Sequence, residues 1–449
     1  MTESIDKWAI KHTPKRGRTG ASRIILPSQT VKNLKPLLQA MQILDPGDIM
    51  RVDTDGIPVF VCKRSGADGR AFYYKGKGYT GADSRASAMM EAAERYSAET
   101  YSGSVLSGTY EEIQRKGPAA HLEKLYARIE ECYTHDSTVE WVQGFDLIGQ
   151  RETFIPLNLV VQPYVTGPEY FRAGSVGLAS GNTMEEALAH ALCEVIEHDA
   201  LGVSATYNPE SWRFVMNDSQ GGAQGATQEI PFEDTTPELA FPLIDPATFP
   251  ARASNIAHKL DAAGLEFFAR NITTDIGAAS VSCIVAARNA QGAYAMFSGS
   301  GTHPNADIAL VRALCEAAQS HSAGMWLYEN KIWKQQAMVE NPGKLAGYGS
   351  TCAFSDIPSR KFPTVDQDIH WLLGRLRRDG LNQAIAADLT SPDLGIPTVR
   401  VTVPGTEYLH EEPDKKGMGM RAKAMLDKRM NQLNELFQNY HEQNNGGRP

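Results

Sequence analysis

The chain has 449 residues, 42% of them hydrophobic and 22% charged, with a formal net charge of −9. Acidic and basic residues are mixed along it, which argues against a protein built to coat nucleic acid or an anionic membrane, though "HTPKRGR" leaves a local basic patch open. The apolar runs fall far short of a membrane span, "MTESIDKWAIKHTPKRG" lacks the core of a secretory signal, and six scattered cysteines form no Cys-x2-Cys pair, so a cytoplasmic protein without a disulfide framework is expected.

That length allows two or three ordinary domains or one large α/β unit. In chain order, "SRIILPSQTVKNLKPLLQAM" places Leu34, Leu37 and Leu38 at helical spacing and predicts an amphipathic helix. "GIPVFVCKR" and "RAFYYKGKG" predict strands, and "SAMMEAAERYSAE", residues 87–99, predicts a helix. That helix is Ala and Met over most of its surface, with Ser87, Glu91, Glu94 and Arg95 as one narrow polar stripe. Residues 103–136 read as helical and 139–165 as strand-rich. Residues 217–236 are polar and glycine-rich and predict a surface insertion. "AASVSCIVAARN" and "GAYAMFSGS" predict strands before another helix, and "LGIPTVRVTVPG" a late buried strand. Residues 415–440 predict an amphipathic helix with a loose tail after it, so the expected division is 1–410 for the main unit and 411–449 for the C-terminal helix and tail.

One pattern recurs. Gly78 precedes Glu91 and Glu94, and Gly181 precedes Glu194 and Glu197 at the same spacing; Gly301, two residues further back, precedes Glu316 and Gln319. Each copy reads as strand, glycine turn and helix, with polar residues at i, i+4 and i+7 on one helical face: Ser87, Glu91, Glu94; His190, Glu194, Glu197; Arg312, Glu316, Gln319. Helices this apolar should be buried, and buried carboxylates must be paired or hold a metal. With Arg95 and Arg312, the glutamates form a polar chamber suited to magnesium and phosphates. No Gly-x4-Gly-Lys-Ser/Thr occurs, so any nucleotide site here is not a P-loop.

Simpler readings stand beside this one. Glu91 with Arg95 is also an ordinary i, i+4 pair, and Thr183 with Glu186 fits a capping box. Cys132 with His135, and His190 with Cys193, each offer two ligands where structural zinc needs four. A metal-only hydrolase is the competing enzyme class, and the lack of His-rich ligand spacing counts against it.

The motifs Ser-x3-Glu-x2-Glu-Arg at 87–95, Asn-Thr-x2-Glu-Ala-x6-Glu-x2-Glu at 182–197 and Arg-x3-Glu-x2-Gln at 312–319 resemble the YcaO superfamily, and the similarity runs from about Lys15 through "GIPTVRVTVPG". The resemblance implies a single large α/β unit of mixed sheets and helices with an ATP site built from helix faces. It implies ATP contacts from Lys15, Ser22, Ser87, Arg95, Asn182, Glu186, Arg312 and Gln319, and Mg2+ held by Glu91, Glu94, Glu194, Glu197 and Glu316. Val176, His198 and His321 depart from the residues common in that family.

Such proteins use ATP to activate a peptide-bond oxygen, with attack by sulfide giving a thioamide and attack by a neighbouring side chain an azoline. "YYKGKGYTGADSRASAMMEAAERYSAE" is similar to the archaeal methanogen branch, which implies a protein or peptide substrate, namely a glycine of the methyl-coenzyme M reductase alpha subunit, with sulfide as co-substrate and a TfuA-like partner. The ending "NNGGRP" has none of the Pro-x-Pro-x-Pro repeat of azoline-forming members, and no peptide-docking domain precedes the first motif. The alternatives are an azoline-forming cyclodehydratase or a non-catalytic ATP-binding accessory protein, against which the intact glutamate pairs count. A homodimer is the default oligomer.

Overall fold

Helix α1, Pro27–Leu34, opens on a proline whose missing N–H costs nothing at a helix start, and Pro36 turns it into a 3-10 segment at Lys35–Leu37. Its apolar face buries Val31 and Leu34. The computed structural model describes residues 7–16, 23–66, 69–125, 133–172, 174–207, 241–289, 291–332, 338–339, 350–407 and 421–425. Ser22, Cys132, the expected insertion at 217–236 and most of the expected C-terminal helix lie outside these; of that helix, 421–425 is helical.

Strands β1 (Ile49–Arg51), β2 (Val59–Ser65) and β3 (Ala71–Lys77) form an antiparallel sheet that carries helix α2, Gly81–Glu99. A capping box starts α2: Thr80 Oγ1 accepts from the Asp83 N–H at 3.2 Å, and Asp83 accepts from the Thr80 N–H at 3.2 Å. The helix is rich in small residues, Ala86, Ala88, Ala92 and Ala93, all fully buried, and it meets the sheet at Ser84 and Ala88. The approach is so close that a Cβ at Gly76 of β3 would overlap the Ser84 carbonyl and the Ala88 backbone.

The expectation of a helix across 103–136 is corrected. Residues 105–108 form strand β4 (Val105–Gly108), which pairs with β5 (Val139–Asp146), and among the described residues of this stretch helix is confined to the short α3 (Tyr110–Gln114) and one 3-10 turn at Leu122–Lys124. A Thr109–Glu112 capping box begins α3, and Gly117 and Pro118 follow its end. The strand-rich reading of 139–165 holds for β5 and for β6 (Arg151–Pro156).

Strand β7 (Leu178–Ser180) leads into the long helix α4, Met184–Tyr207. After β8 (Leu243–Ile244) and α5 (Ala251–Ala262), strands β9 (Glu266–Asn271), β10 (Ala279–Arg288) and β11 (Tyr294–His303) run antiparallel and feed α6, Ala306–Glu329. Strands β12 (Met338–Val339) and β13 (Thr351–Cys352), helix α7 (Val365–Arg378), and strands β14 (Ile385–Asp388) and β15 (Thr398–Thr402) complete the described elements. A second sheet has the order β12-β11-β10-β9-β8-β13; a third has β4-β5-β14-β15-β7, with β6 on β5. The late strand expected at "LGIPTVRVTVPG" is β15, buried at Thr398, Val399, Arg400 and Val401.

The expected strand, glycine turn and helix units are present as β3–α2 and β7–α4; in the third, β11–α6, the strand and helix are present but Gly301 lies inside β11 and the turn is made at Pro304 and Asn305. Helix α6 repeats the close packing of α2, since a Cβ at Gly299 of β11 would meet the Ala313 carbonyl and the Ala317 N–H. Gly299→Val should therefore destabilise the protein by about 1–3 kcal/mol or more. Gly374→Ala in α7, where nothing stands within 4 Å of the new methyl, should be neutral or stabilising by roughly 0.5–1 kcal/mol. Urea midpoints of the two variants check this, and equal midpoints would contradict it.

Candidate functional site

Helices α2, α4 and α6 converge on a cavity of about 560 Å³. Ser87, Glu91, Glu94 and Arg95 reach it from α2, Glu186, His190, Glu194 and Glu197 from α4, and Arg312, Glu316 and Gln319 from α6. The stripes face inward because the rest of each helix is occupied. Met89, Ala92 and Ala93 of α2, Leu188, Ala191, Leu192 and Ile196 of α4, and Leu310, Leu314 and Ala317 of α6 lie in hydrophobic cores.

The three units hold one another's carboxylates in a closed ring. The Ser180 N–H of β7 donates to Glu94 of α2 at 3.0 Å. The Ser300 hydroxyl of β11 donates to Glu197 of α4 at 2.8 Å. Lys77 Nζ of β3 pairs with Glu316 of α6 at 2.8 Å, and the Ser300 N–H also donates to Glu316 at 2.8 Å. Each helix thus has a carboxylate fixed by the strand of the next unit.

Two expected residues stand behind the cavity wall. Asn182 donates to both carboxylate oxygens of Glu186, at 2.9 and 3.0 Å, and accepts from Thr30 Oγ1 at 3.1 Å. Lys15 pairs with Asp368 of α7 at 2.5 Å and donates to the Phe362 carbonyl at 3.0 Å; Asp368 itself lines the cavity. Thr183 does cap α4 by accepting from the Glu186 N–H at 3.3 Å, but the Glu186 carboxylate faces the cavity, so the cap does not exhaust its role. The Glu91–Arg95 pair is loose, at 3.8 Å, and Arg95 is held better by Gln162 at 2.9 Å. His198 lines the cavity, whereas His321 turns away to Asp55 at 3.5 Å.

Sequence reasoning missed Arg23, Lys75, Lys77, His303 and Asp368, which also line the cavity. For Lys75 and Lys77 a signal existed: they alternate with Gly76 on a strand and so share its opposite face.

Burial and mutual repulsion set the electrostatics. Burial raises the pKa of Glu91, with Arg95 and the two lysines opposing, and raises that of Glu94 well above the usual range. Burial, then the neighbouring Glu197, pushes Glu194 up to about 8. Glu316 is lowered by Lys77 and the Ser300 N–H, which outweigh its burial. Burial and Arg312 keep His190 neutral, and its Nε2 lies 3.4 Å from the Arg312 guanidinium.

Cation and anion partners are both in demand here. Glu197 Oε2 and Arg312 Nε are buried without hydrogen bonds, and Glu194 makes none among the described residues. Among those residues no three His, Cys, Asp or Glu side chains form a ready metal cage. Glutamates without a complete cage fit magnesium, which completes its octahedron with phosphate oxygens and water, and Arg312 fits the phosphate. His190 and Cys193 offer two ligands, and among the described residues no third His, Cys, Asp or Glu groups with them to complete a zinc site.

Residues 75–407 match the family described as YcaO cyclodehydratase, ATP- and Mg2+-binding. A protein of Methanothermobacter thermautotrophicus is 30% identical over 413 residues, 89% of this chain and 98% of its own length. A protein of Rhizobium leguminosarum bv. trifolii, described as lying in the tfuA 3′ region, is 27% identical over 427 residues, 91% of this chain and 94% of its own. YcaO from Methanopyrus kandleri bound with AMPPCP and Mg2+ has a TM-score of 0.67 at 22% identity, covering 91% of this chain and 97% of that one. A heterocyclase in complex with substrate and cofactor gives 0.69 at 20% identity, covering 89% and 54%. At these identities the two structures establish the likeness of fold. No described helix is long and apolar enough to cross a membrane.

The Glu194 shift gives a pH prediction for the protein without divalent cation. Between its ordinary pKa of 4.5 and about 8 the folded state holds a proton that the unfolded chain has released. The unfolded state binds fewer protons there, so this group's contribution to stability falls as pH rises through that window. Glu194→Gln should flatten the fall, as measured by urea midpoints between about pH 5 and about pH 8. A variant with the wild-type slope would rule out the shift.

Proposed function

The chain belongs to the YcaO family, and on that premise we propose that it uses ATP and magnesium to activate a backbone amide of a protein and replaces the amide oxygen with sulfur. The observation that carries this reading is the cavity itself, where glutamates from three helices face Lys77, Arg95 and Arg312 with Glu197 Oε2 and Arg312 Nε unsatisfied. Glu91, Glu94, Glu194, Glu197 and Glu316 would hold magnesium. Ser87, Arg95, Arg312 and Gln319 would contact the phosphates. Glu186, set by Asn182, with Lys15 beyond Asp368, would bound the nucleoside end. Bound magnesium supplies charge neutralisation at the phosphoryl group being transferred.

The chemistry follows from the amide's weakness as an electrophile. Sulfide adds to the amide carbon, and the resulting oxyanion takes the terminal phosphoryl group of ATP. That oxygen then leaves as phosphate, and the carbon keeps sulfur as a thioamide. ATP becomes ADP, and one amide oxygen ends on phosphate. Arg312 and Lys77 would donate hydrogen bonds to the phosphoryl oxygens as charge moves. Neutral His190 leaves the Arg312 charge undiminished.

Two likenesses support the finer reading. The relative in the tfuA 3′ region favours thioamide formation with a TfuA-like partner. The likeness to the Methanothermobacter protein suits a glycine of the methyl-coenzyme M reductase alpha subunit as substrate. The family's description as cyclodehydratase favours a second reading, in which a neighbouring Cys, Ser or Thr side chain attacks and an azoline forms.

Mass spectrometry separates these. A glycine-containing reductase peptide incubated anaerobically with the protein, a TfuA-like partner, ATP, magnesium and sulfide should gain about 16 mass units, oxygen replaced by sulfur, only when ATP is present. A loss of about 18, one water, would establish the azoline route instead. Glu91→Ala and Glu194→Ala should each weaken magnesium-dependent ATP binding at least tenfold while the circular dichroism spectrum is retained. Wild-type affinity in both would overturn the metal assignment.

A further inference from the structure

Beyond Glu197 the cavity changes character. Along α4 one stripe of its lining residues runs Glu186, His190, Glu194, Glu197, Leu201 and Ser204; carboxylates reach as far as Glu197 and none follows, and past that point the one ionisable lining residue of α4 is His198, beside the stripe. The sheet that α4 contacts presents two transverse rows to the same cavity. Ser300, Ser282 and Arg270 are paired across β11, β10 and β9, and Ser298, Ile284 and Phe268 form the next row. Ser300 is committed to Glu197 and Glu316, and Arg270 donates to the Phe241 carbonyl. The hydroxyls of Ser282 and Ser298 have no hydrogen-bond partner among the described residues, and neither row carries a carboxylate.

This end offers no carboxylate to a metal and its arginine, Arg270, is engaged by the Phe241 carbonyl, yet it adjoins the groups that suit metal and phosphate. Ser282 and Ser298 are diagonal neighbours in the β10–β11 register, which sets their side chains roughly 7–8 Å apart. Along one edge of an extended polypeptide, successive backbone carbonyls repeat about every 7 Å. The two hydroxyls therefore match the repeat of a peptide backbone, and Ile284, Phe268 and Leu201 supply apolar walls around them.

We infer that this carboxylate-free end is the acceptor subsite: an extended, uncharged stretch of polypeptide lies over the two rows, hydrogen-bonded through its backbone to Ser282 and Ser298, with the reacting amide turned toward Glu197. The inference rests on the reading of the protein as an amide-activating enzyme. It assigns specificity to residues outside the three repeated motifs. It also explains why the last two turns of the α4 stripe carry no charge, since a carboxylate there would lie against the substrate's carbonyl oxygens.

The test separates nucleotide from peptide. Affinity of the glycine-containing reductase peptide is measured by fluorescence anisotropy with a non-hydrolysable ATP analogue and magnesium, beside turnover by mass spectrometry. The Ser282→Ala, Ser298→Ala double variant should lose roughly tenfold or more in peptide affinity, with analogue affinity unchanged, and Ser298→Thr should retain peptide binding. A double variant with wild-type peptide affinity and KM overturns the subsite and leaves the proposed function standing. A parallel fall in peptide and nucleotide affinity also overturns it, because the rows would then serve the nucleotide or the fold. A wild-type protein that binds the analogue but neither binds nor modifies the peptide overturns both readings.

Discussion

Burying ionised carboxylates is the constraint on which this architecture turns. Helices α2, α4 and α6 pack on all sides but one, so their glutamates have nowhere to go except toward each other. Unpartnered, each would impose a desolvation cost of several kcal/mol. The ring Ser180–Glu94, Ser300–Glu197 and Lys77–Glu316 meets part of that cost, and does so between units, never only within one. The site is therefore also the joint that ties the three units together.

What the ring leaves unmet is what the proposed function would use. Glu197 keeps one buried oxygen without a partner and Glu194 stays protonated up to about 8, while Arg312 offers a donor nothing accepts. A fold seeking only stability would have replaced these groups with apolar ones. Retained together, they form a chamber whose negative and positive halves are both incomplete, the condition a metal-bound phosphate chain relieves.

The helix stripes were legible in the sequence because burial leaves a direct mark there: a carboxylate every third or fourth residue in a run of Ala, Leu and Met. Those stripes located ten residues that line the cavity. Strand β15 was legible for the same reason. Asp368 was not, because it enters from α7, outside the three helices, and only folding places it beside Lys15; the alternation of Lys75 and Lys77 about Gly76 marked a shared face, but only folding shows that Lys77 meets Glu316. Asn182 and Lys15 were expected to contact the nucleotide, yet they bond Glu186 and Asp368, which line the cavity in their place, and spacing does not encode that difference. At 103–136 the helical reading failed because β4 owes its strand to its partner β5, and tertiary pairing overrides local preference.

The outer side of α4 is held very differently from its cavity side. Two residues past Glu197, the buried Asp199 pairs with Arg421 at 2.8 Å, and Arg421 also pairs with Asp275 at 2.8 Å and with Asp379 at the end of α7. Burial pushes Asp199 up to about 6, and the guanidinium works against that rise. One cation thus serves three anions, so tolerance to sequence drift at this point is one-sided. Losing Asp275 or Asp379 leaves Arg421 its other partners, and both acids also feel Arg375. Losing Arg421 leaves the buried Asp199 with the Glu407 N–H alone, so exchange of the arginine falls hardest on α4.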